Sequence, residues 1–484
     1  MLLVGSGAWA ASVSGVVVAN ATGQPLARTN VHLQTRNNES PAGQISVLTG
    51  SGGEFSFDGL SAGIYFLRAV RKGYETFRHG QTEPDGPGTP IVLGAGSHFA
   101  VNARLRRLGV VTGAVLDENQ VGIEGVSVHA YRMVKAWKAV ASARTDDRGV
   151  YRLSGLKPGR YLIRSAAAQL SEDLALLPTY FGQAVSVREA RGVEVRLDQE
   201  VERADITPGP GRLGRLSGRL TGASASEVQL LTEVGPRRAP VRPGGVFDFG
   251  QLEPGTYTVL VDREAAGGNL AALEPVLMGE SDVRVGVEMK LAPRLRINCE
   301  AAAAGRINRR GVSVFLRRKD SQDGATRVKC GMDSPWNPGD WEVGVATPPG
   351  HFAAAILGAS PSESAYELQL LPGSEQELSI LLSDRPGRIS GVVRVDGDAA
   401  VGAPVYLNAY DRELRSRAGG VRSTRTDGNG IYRFAGLPPG GYEVISSYQI
   451  RDAEGEGWPQ GAGASVRVEE GEEVERHLRL TSFR

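Results

Sequence analysis

Histidine is the side chain best suited to proton transfer and metal binding near neutral pH, so the histidines are the first place to look for chemistry in this 484-residue chain. A zinc peptidase needs a His-x-x-Glu pair and a further histidine, with one coordination position left for water. None of the histidines is followed three residues later by a glutamate. The six are His32, His79, His98, His129, His351 and His477. The sequence therefore predicts no catalytic residue, no metal site, no cofactor and no enzyme activity.

Two acidic turns are the next candidates for chemistry. Asp146-Asp147-Arg148-Gly149 and Asp427-Gly428-Asn429-Gly430 offer the carboxylate and amide oxygens that calcium prefers. A calcium loop also needs regular ligand spacing and a terminal bidentate glutamate, and both are missing here. Asp, Asn and Gly equally favour tight hairpin turns in which the Asp side chain bonds nearby backbone. We expect turns, not calcium sites.

Cys299 and Cys330 are the two cysteines of the chain. No third residue type clusters with them at metal-ligand spacing, so a zinc site is not expected. In an oxidising compartment they could form a disulfide, which would restrict the unfolded chain. The alternative is two unrelated buried thiols, because spacing alone does not place their Cα atoms within reach.

Charge and hydropathy indicate where such a chain acts. The formal net charge is +1 with both signs interspersed, which gives no basic stripe for nucleic acid. No segment has the roughly 20 consecutive apolar residues of a membrane-spanning helix. Residues 1–11 resemble the end of a signal peptide, with Ala8-Trp9-Ala10 as an A-x-A-like cleavage site. We expect a secreted, periplasmic or cell-surface protein; the alternative is an ordinary apolar N-terminus.

A repeated segment dominates the organisation of the chain. Its form is Gly149-Val-Tyr-Arg-Leu-Ser-Gly-Leu-Lys-Pro-Gly-Arg-Tyr161, and the copies starting at Gly53, Gly149 and Gly245 are spaced 96 residues apart. The next copy starts 185 residues later, at Gly430, so a degenerate copy should lie between. Trp336-Asn-Pro-Gly-Asp-Trp341 occupies that place.

Each copy is preceded by two short alternating segments, typical of strands with one packed face and one wet face. The first carries a Ser-Gly or Thr-Gly pair, as in Val13-Ser-Gly-Val-Val and Ile389-Ser-Gly-Val-Val; the degenerate copy begins Leu295-Arg-Ile-Asn-Cys299 and lacks the glycine. Short apolar runs broken by Gly, Pro and Asp predict an all-β chain. The predicted β-sandwich domains are 12–109, 110–211, 212–293, 294–387 and 388–484.

The end of the repeat predicts a turn and a structural aromatic residue. In Leu-x-Pro-Gly-x-Tyr, Pro presets φ at the first corner of a type II turn and Gly supplies the positive φ at the second. The following tyrosine resembles the tyrosine corner of Greek-key sandwiches, whose hydroxyl bonds upstream backbone. The residues expected in this role are Tyr65, Tyr161, Tyr257, Tyr442 and, in the degenerate copy, Trp341.

These motifs resemble the carboxypeptidase regulatory-like domain family. Thr145-Asp-Asp-Arg-Gly-Val-Tyr151 and Thr426-Asp-Gly-Asn-Gly-Ile-Tyr432 match its pattern closely, while the fourth copy matches weakly. The resemblance implies about five tandem seven-stranded Greek-key β-sandwich domains of the transthyretin (prealbumin) type, within the carbohydrate-binding-like fold. Such domains are accessory modules, and a shared fold does not fix function.

Loops with aromatic residues are the predicted ligand-binding regions, since flat apolar rings suit sugars or a partner protein. The rings are Tyr74, Tyr180, Phe181, Tyr448 and Trp458. The alternative is that they cap their own sandwich or seal a joint. We expect an extracellular binding array with a polysaccharide as preferred ligand, or else a structural spacer, adhesive stalk or protein scaffold at the cell surface. Short joints between tandem domains predict an extended rod; the oligomeric state is not predicted.

Overall fold

A computed structural model describes residues 10–35, 43–133, 137–171, 174–302, 311–319, 324–362, 365–450, 458–459 and 461–482. Residues 1–9, which carry most of the predicted signal peptide, lie outside the described residues, and Ala11 begins the first strand. The described residues form 44 strands and one short helix. None of these elements is a helix long and apolar enough to cross a membrane. We use the predicted domain limits as names for five successive units, 1 to 5.

Units 1 and 2 contain strands β1 to β18. The strands of unit 1 are β1 (Ala11–Ala19), β2 (Asn30–Thr35), β3 (Gln44–Leu48), β4 (Glu54–Leu60), β5 (Gly63–Val70), β6 (Phe77–Arg78), β7 (Ile91–Leu93) and β8 (His98–Leu105). Those of unit 2 are β9 (Gly109–Ala114), β10 (Ser127–Met133), β11 (Trp137–Arg144), β12 (Val150–Leu156), β13 (Gly159–Ser165), β14 (Ala168–Gln169), β15 (Ala175–Leu176), β16 (Val193–Val195), β17 (Glu200–Val201) and β18 (Pro210–Gly211).

Units 3 and 4 contain strands β19 to β35. The strands of unit 3 are β19 (Gly214–Thr221), β20 (Glu227–Leu231), β21 (Arg237–Pro240), β22 (Val246–Leu252), β23 (Gly255–Val261), β24 (Leu270–Met278), β25 (Val283–Glu288) and β26 (Lys290–Leu291). Those of unit 4 are β27 (Arg294–Ala301), β28 (Ser313–Arg318), β29 (Thr326–Lys329), β30 (Met332–Pro335), β31 (Gly339–Ala346), β32 (Phe352–Leu357), β33 (Ser360–Pro361), β34 (Tyr366–Leu370) and β35 (Glu375–Ser383).

Unit 5 adds a helix to the same pattern. Its elements are β36 (Gly387–Val395), β37 (Asp398–Ala399), β38 (Pro404–Ala409), α1 (Arg412–Ala418), β39 (Arg422–Arg425), β40 (Ile431–Leu437), β41 (Gly440–Ser446), β42 (Ala464–Val468), β43 (Glu473–Glu475) and β44 (Leu478–Arg479). The helix has Asp411 as its N-cap, whose side chain accepts a hydrogen bond from the Leu414 amide, and Gly419 closes it with φ 81°.

All five units share one sheet topology. The first strand of each unit pairs parallel with a strand near the end of the unit. It also pairs antiparallel with the strand that carries the repeated Gly-x-aromatic segment, or in unit 4 with β30, which lacks that segment. The second strand pairs antiparallel on one side with the third strand and on the other with the strand that follows the Pro-Gly turn. Each unit therefore has two main sheets.

Alternation along the strands places apolar side chains between the two sheets. In unit 2 the buried cluster combines Val111 and Tyr151 of one sheet with Val128 and Ile163 of the other. Four further large clusters, one in each remaining unit, are built in the same way. The prediction of an all-β chain of tandem sandwiches is confirmed.

The glycine of the first strand is required by a close approach of two neighbours. In unit 5, Gly391 lies opposite Tyr432 in the β36–β40 register, and the Tyr432 hydroxyl donates to the Arg476 carbonyl over 2.6 Å. A Cβ at Gly391 would lie 1.9 Å from that carbonyl oxygen and 3.1 Å from the tyrosine ring. The glycine is therefore needed where the tyrosine ring and the carbonyl that it binds both lie against the first strand.

Unit 4 solves the same packing problem with different residues. Its first strand carries the fully buried Ile297 in place of the glycine, and its paired strand β30 is short. Cys299 and Cys330 are joined by a disulfide at the edge of this core, with Cα atoms 5.6 Å apart. Met332 pairs with Ile297 and packs against this core, at the register position where the aromatic residue pairs with the glycine in unit 5.

Candidate functional site

A metal centre is the first kind of functional site to consider in the part of the chain that the structure describes. No group of three or more His, Cys, Asp or Glu side chains there has a geometry suited to a metal ion. Residues 59–63 do have the Gly-x-Ser-x-Gly spacing of a hydrolase nucleophile elbow, a point that the sequence analysis missed. They form the connection between β4 and β5, two strands, where a nucleophile elbow needs a strand followed by a helix.

The acidic turns have the geometry of side-chain-capped hairpins. Asp146 Oδ1 accepts from the amides of Arg148 and Val150 at 3.0 and 2.8 Å. Asp427 Oδ1 accepts in the same way from the amides at positions 429 and 431, both at 2.9 Å. These carboxylate oxygens are already engaged by backbone donors, as expected for Asx turns.

The Pro-Gly turns have a different geometry from the expected type II turn. Gly159 and Gly440 have φ values of 140° and 150°, well beyond the roughly +80° of that turn. The carbonyl of the x residue in Leu-x-Pro-Gly accepts instead from the aromatic side chain four residues later. The donor–acceptor distances are 2.8 Å for Tyr65–Ser61, 2.7 Å for Tyr161–Lys157, 3.0 Å for Tyr257–Glu253, 2.6 Å for Tyr442–Pro438 and 3.1 Å for Trp341 Nε1–Asn337.

The side chain of the same x residue points across a joint in three of the units. At the joint between units 1 and 2, Lys157 Nζ lies 3.1 Å from Asp85. Asp198 of unit 2 adds two hydrogen bonds to this joint. Its Oδ1 accepts from the Arg107 amide at 2.7 Å, and its Oδ2 accepts from Asn20 Nδ2 at 2.9 Å. The backbone carbonyl of Lys157 therefore forms a hydrogen bond within unit 2, whereas its side chain forms an ion pair with unit 1.

The joint between units 2 and 3 contains a more buried ion pair. Glu253, the x residue of unit 3, pairs with Arg164 of strand β13, whose side chain is 12% exposed. The guanidinium of Arg164 lies over the ring of Tyr180, 5.1 Å from its centroid. Tyr180 is 1% exposed and belongs to a small apolar cluster against which Val234 of unit 3 also packs. Burial raises the pKa of the Tyr180 hydroxyl.

The joint between units 3 and 4 is the most polar. Arg318 Nη1 lies 2.5 Å from Asp262 Oδ1, and the second oxygen of Asp262 accepts from Gln229 Nε2 at 2.7 Å. Asn337, the x residue of unit 4, accepts from the Arg263 amide at 2.8 Å. The charged pair and the turn together fix the position of unit 4 on unit 3.

The helix of unit 5 forms the next joint. Ser416 Oγ lies 2.9 Å from each of the carbonyl oxygens of Ser362 and Ala365 in unit 4. Arg417 Nη1 donates to the Ala354 carbonyl over 2.7 Å. The helix α1 thus supplies side-chain donors to backbone carbonyls of the preceding unit.

A fifth joint connects the last unit to the first. Arg425 of unit 5 lies over the ring of Phe66 in unit 1, 4.9 Å from its centroid, and its Nη1 is 3.3 Å from the Gly88 carbonyl oxygen. Gly402 packs beside Pro90 in the same seam. Contacts therefore run from unit 1 through units 2, 3 and 4 to unit 5 and back to unit 1. This closed arrangement differs from the extended rod expected from tandem domains with short joints.

The family model of the carboxypeptidase regulatory-like domain matches residues 12–106 and residues 110–206. Units 1 and 2 are carboxypeptidase regulatory-like domains. A search of curated protein sequences gives no significant match.

Solved structures similar to the chain include two pilins. The minor pilin GBS52 of Streptococcus agalactiae is 14% identical over 41% of this chain and 94% of its own length, with a TM-score of 0.25. The shaft pilin SpaA of Lactobacillus rhamnosus GG is 12% identical over 42% of this chain and 98% of its own length, with a TM-score of 0.24. The Bacillus anthracis TIE protein is 10% identical over 77% of this chain and 74% of its own length, with a TM-score of 0.17. These values are too low to bear on fold or function.

The five rings predicted to bind a ligand are distributed over three units. Tyr74 lies in unit 1, Tyr180 and Phe181 lie in unit 2, and Tyr448 and Trp458 lie in unit 5. Tyr74 is half-buried beside the 1–2 joint, with the Arg107 guanidinium 5.8 Å from its ring centroid. Phe181 packs against the core of unit 2 and under Arg191. Tyr448 packs against the core of unit 5, where burial raises the pKa of its hydroxyl.

Trp458, the last of these rings, is held by a buried carboxylate. Its Nε1 donates to Glu443 Oε2 over 2.7 Å, and Glu443 Oε1 accepts from the Gly463 amide at 2.8 Å. The ring packs against a small apolar cluster that includes Tyr406 and Ile450. The structure does not bring Trp458 together with Tyr180 or with Tyr74 into one surface, since the three belong to different units.

The joint residues are the site residues that sequence reasoning missed. Lys157, Glu253 and Asn337 stand at the variable position of an otherwise constant turn. That variability was the available signal, because a position whose side chain plays no part in its own fold is free to contact a neighbour. Arg318 and Arg425 gave no signal, since each faces a partner distant in sequence.

Proposed function

We propose that the chain is a non-enzymatic structural scaffold, in which the sandwiches are locked into a closed arrangement that offers its outer surfaces to partner proteins. The observation that carries this proposal is the placement of charged and hydrogen-bonding side chains across every joint. Arg318, Asp262 and Gln229 form the strongest example. Side chains that hold domains in one geometry are what a scaffold needs, because they suppress the relative motion expected of tandem domains.

The proposed location is the cell surface, the periplasm or the extracellular medium. The disulfide between Cys299 and Cys330 supports this assignment, since disulfides persist in oxidising compartments and are rare in the cytosol. Closing a loop of this length also stabilises a unit whose repeat is degenerate.

Carbohydrate binding at Tyr74, Tyr180, Phe181, Tyr448 and Trp458 stays a prediction. A sugar that stacks on an aromatic residue needs one open ring face. In the described structure the Tyr180 ring is buried and carries the Arg164 guanidinium, and the Trp458 ring packs against its own unit. The scaffold is therefore the better supported of the two functions.

Small-angle scattering tests the scaffold, because closed and extended arrangements differ strongly in size. If each unit is treated as a sphere with a radius of gyration of about 13 Å, a closed ring of five has a radius of gyration of about 30 Å and a straight rod about 50 Å. We expect the smaller value, unchanged by a soluble mixture of neutral glycans. A value near that of the rod, or a change in shape or mass that depends on the neutral glycans, would count against the scaffold.

A further inference from the structure

The seam between units 1 and 5 contains a cleft of about 360 Å³. Its floor is the outer face of the sheet formed by β2, β5 and β6 of unit 1, and its far wall is Arg425 of unit 5. This volume lies at the small end of the range for sites that bind low-molecular-weight ligands. Because both units line the cleft, a ligand inside it would touch both.

Basic side chains form a row across the floor of the cleft. His32 pairs directly with Arg68 in the β2–β5 register, and Arg68 pairs directly with Arg78 in the β5–β6 register. Directly paired residues in neighbouring strands project from the same face of a sheet. Arg68 and Arg78 carry like charges in such positions, which destabilises the pairing unless something neutralises them.

No carboxylate among the described lining residues neutralises this row. Arg68 Nη2 donates over 3.1 Å to the uncharged Gln44 amide oxygen, while the Gln44 amide nitrogen is 2.9 Å from His32 Nδ1. Arg68 and Arg78 therefore leave the floor of the cleft positively charged, so the site is suited to an anion.

We propose that this cleft binds a small hydroxylated carboxylic acid, such as a sugar acid. Guanidinium groups bind carboxylates through paired hydrogen bonds, and Arg68 and Arg78 lie side by side on the floor of the cleft. Thr89 and Gln34 also line it and offer hydrogen bonds to hydroxyl groups. This inference rests on the proposed closed arrangement, because the ligand would bridge unit 1 to Arg425 and hold the seam shut.

Isothermal titration of the full chain with D-glucuronate tests the proposal, with D-glucose as the uncharged control. Glucuronate should bind and glucose should not, and added salt should weaken binding. Arg78→Gln and Arg68→Gln should each lower the affinity about tenfold or more, as expected for loss of a charged hydrogen bond. The control Arg219→Gln removes an exposed arginine of β19 and should leave affinity unchanged.

Two sources of the ligand are separated by a second titration with a short oligogalacturonate. Tighter binding of the oligomer than of the monomer indicates the acidic end of a polysaccharide, and equal or weaker binding indicates a free sugar acid. Absence of binding by both acids, equal binding of glucose, or full affinity in Arg78→Gln would overturn the proposal. Thermal melting of the variants confirms that they are folded, and Arg78→Lys should retain part of the affinity because it retains the charge.

Scattering without ligand separates this inference from the scaffold on which it rests. If the wild-type chain is closed without ligand but binds neither acid, the anion site is ruled out and the proposed scaffold is not. If the wild-type chain is extended, the scaffold is ruled out.

Discussion

Arg318 Nη1 of unit 4 lies 2.5 Å from Asp262 Oδ1 of unit 3, and the two side chains are 9% and 15% exposed. Replacing Asp262 by asparagine removes the negative charge that this guanidinium faces in a nearly buried place. We expect Asp262→Asn to lower the free energy of unfolding by about 2 kcal/mol, below the usual range for fully buried pairs because some solvent reaches this one. Denaturant unfolding measures the change, and limited proteolysis between units 3 and 4 should become faster.

Asp333→Asn is the matched control for that variant. Asp333 also pairs with arginines, Arg294 and Arg296, but on the exposed surface of unit 4. Its replacement should change stability little. Equal effects of the two substitutions would show that the joint contributes no more than a surface ion pair.

Gly391 provides a test of the packing between the first strand and the repeated aromatic residue. A Cβ at this position would lie 1.9 Å from the Arg476 carbonyl oxygen, so Gly391→Ala requires backbone movement. We expect a loss of about 3 kcal/mol, at the upper end of overpacking costs. Gly428→Ala, where an added Cβ meets nothing within 4 Å, should leave the unfolding midpoint nearly unchanged.

The disulfide in unit 4 should contribute to stability through the unfolded chain. Cys299 and Cys330 are separated by 31 residues, and closing a loop of that size corresponds to about 3–4 kcal/mol in the entropic model. We expect the Cys299→Ala/Cys330→Ala variant to melt earlier and to lose its response to dithiothreitol. A wild-type melting curve that is insensitive to the reductant under conditions that release both thiols would contradict this contribution.

His79 should make stability depend on pH. Burial lowers its pKa below 6.5, so the unfolded chain takes up a proton before the folded chain does as the pH falls. Its contribution is therefore complete above about pH 6.5 and is lost progressively as the pH drops from there towards the folded-state pKa. Between pH 7.5 and 5.5, the decrease in unfolding free energy should be smaller in His79→Gln than in wild type.

The sequence was most informative about features that repeat. The spacing of Gly149 and Tyr161 recurs because each sandwich needs the same turn and the same aromatic hydrogen bond, so the all-β tandem architecture could be predicted. Turn type could not, because the carbonyl of Lys157 has two potential donors, the amide of a type II turn and the Tyr161 hydroxyl, and composition does not show which one binds.

The contacts across the joints could not be predicted from the sequence, because their partners lie far apart along the chain. Arg164 and Glu253 are 89 residues apart, and the Arg425–Gly88 contact spans 337. Whether such a pair forms depends on the angle between two units, and that angle is in turn set by the pairs that form across the joint. Without them, tandem domains with short joints predict a rod, and the loop position of Tyr180 does not show that its ring lies inside a joint.

The x residue of the Leu-x-Pro-Gly turn forms one contact within its own unit and another with the preceding unit. At Lys157, Glu253 and Asn337 the carbonyl oxygen satisfies the aromatic residue of the same unit, whereas the side chain meets the unit before it. A substitution of the side chain therefore leaves the backbone hydrogen bond of its own unit in place and alters the contact with the preceding unit. In units 2, 3 and 4 the x residue is thus one position at which the pairing of neighbouring units can be changed by exchanging both residues of a contact.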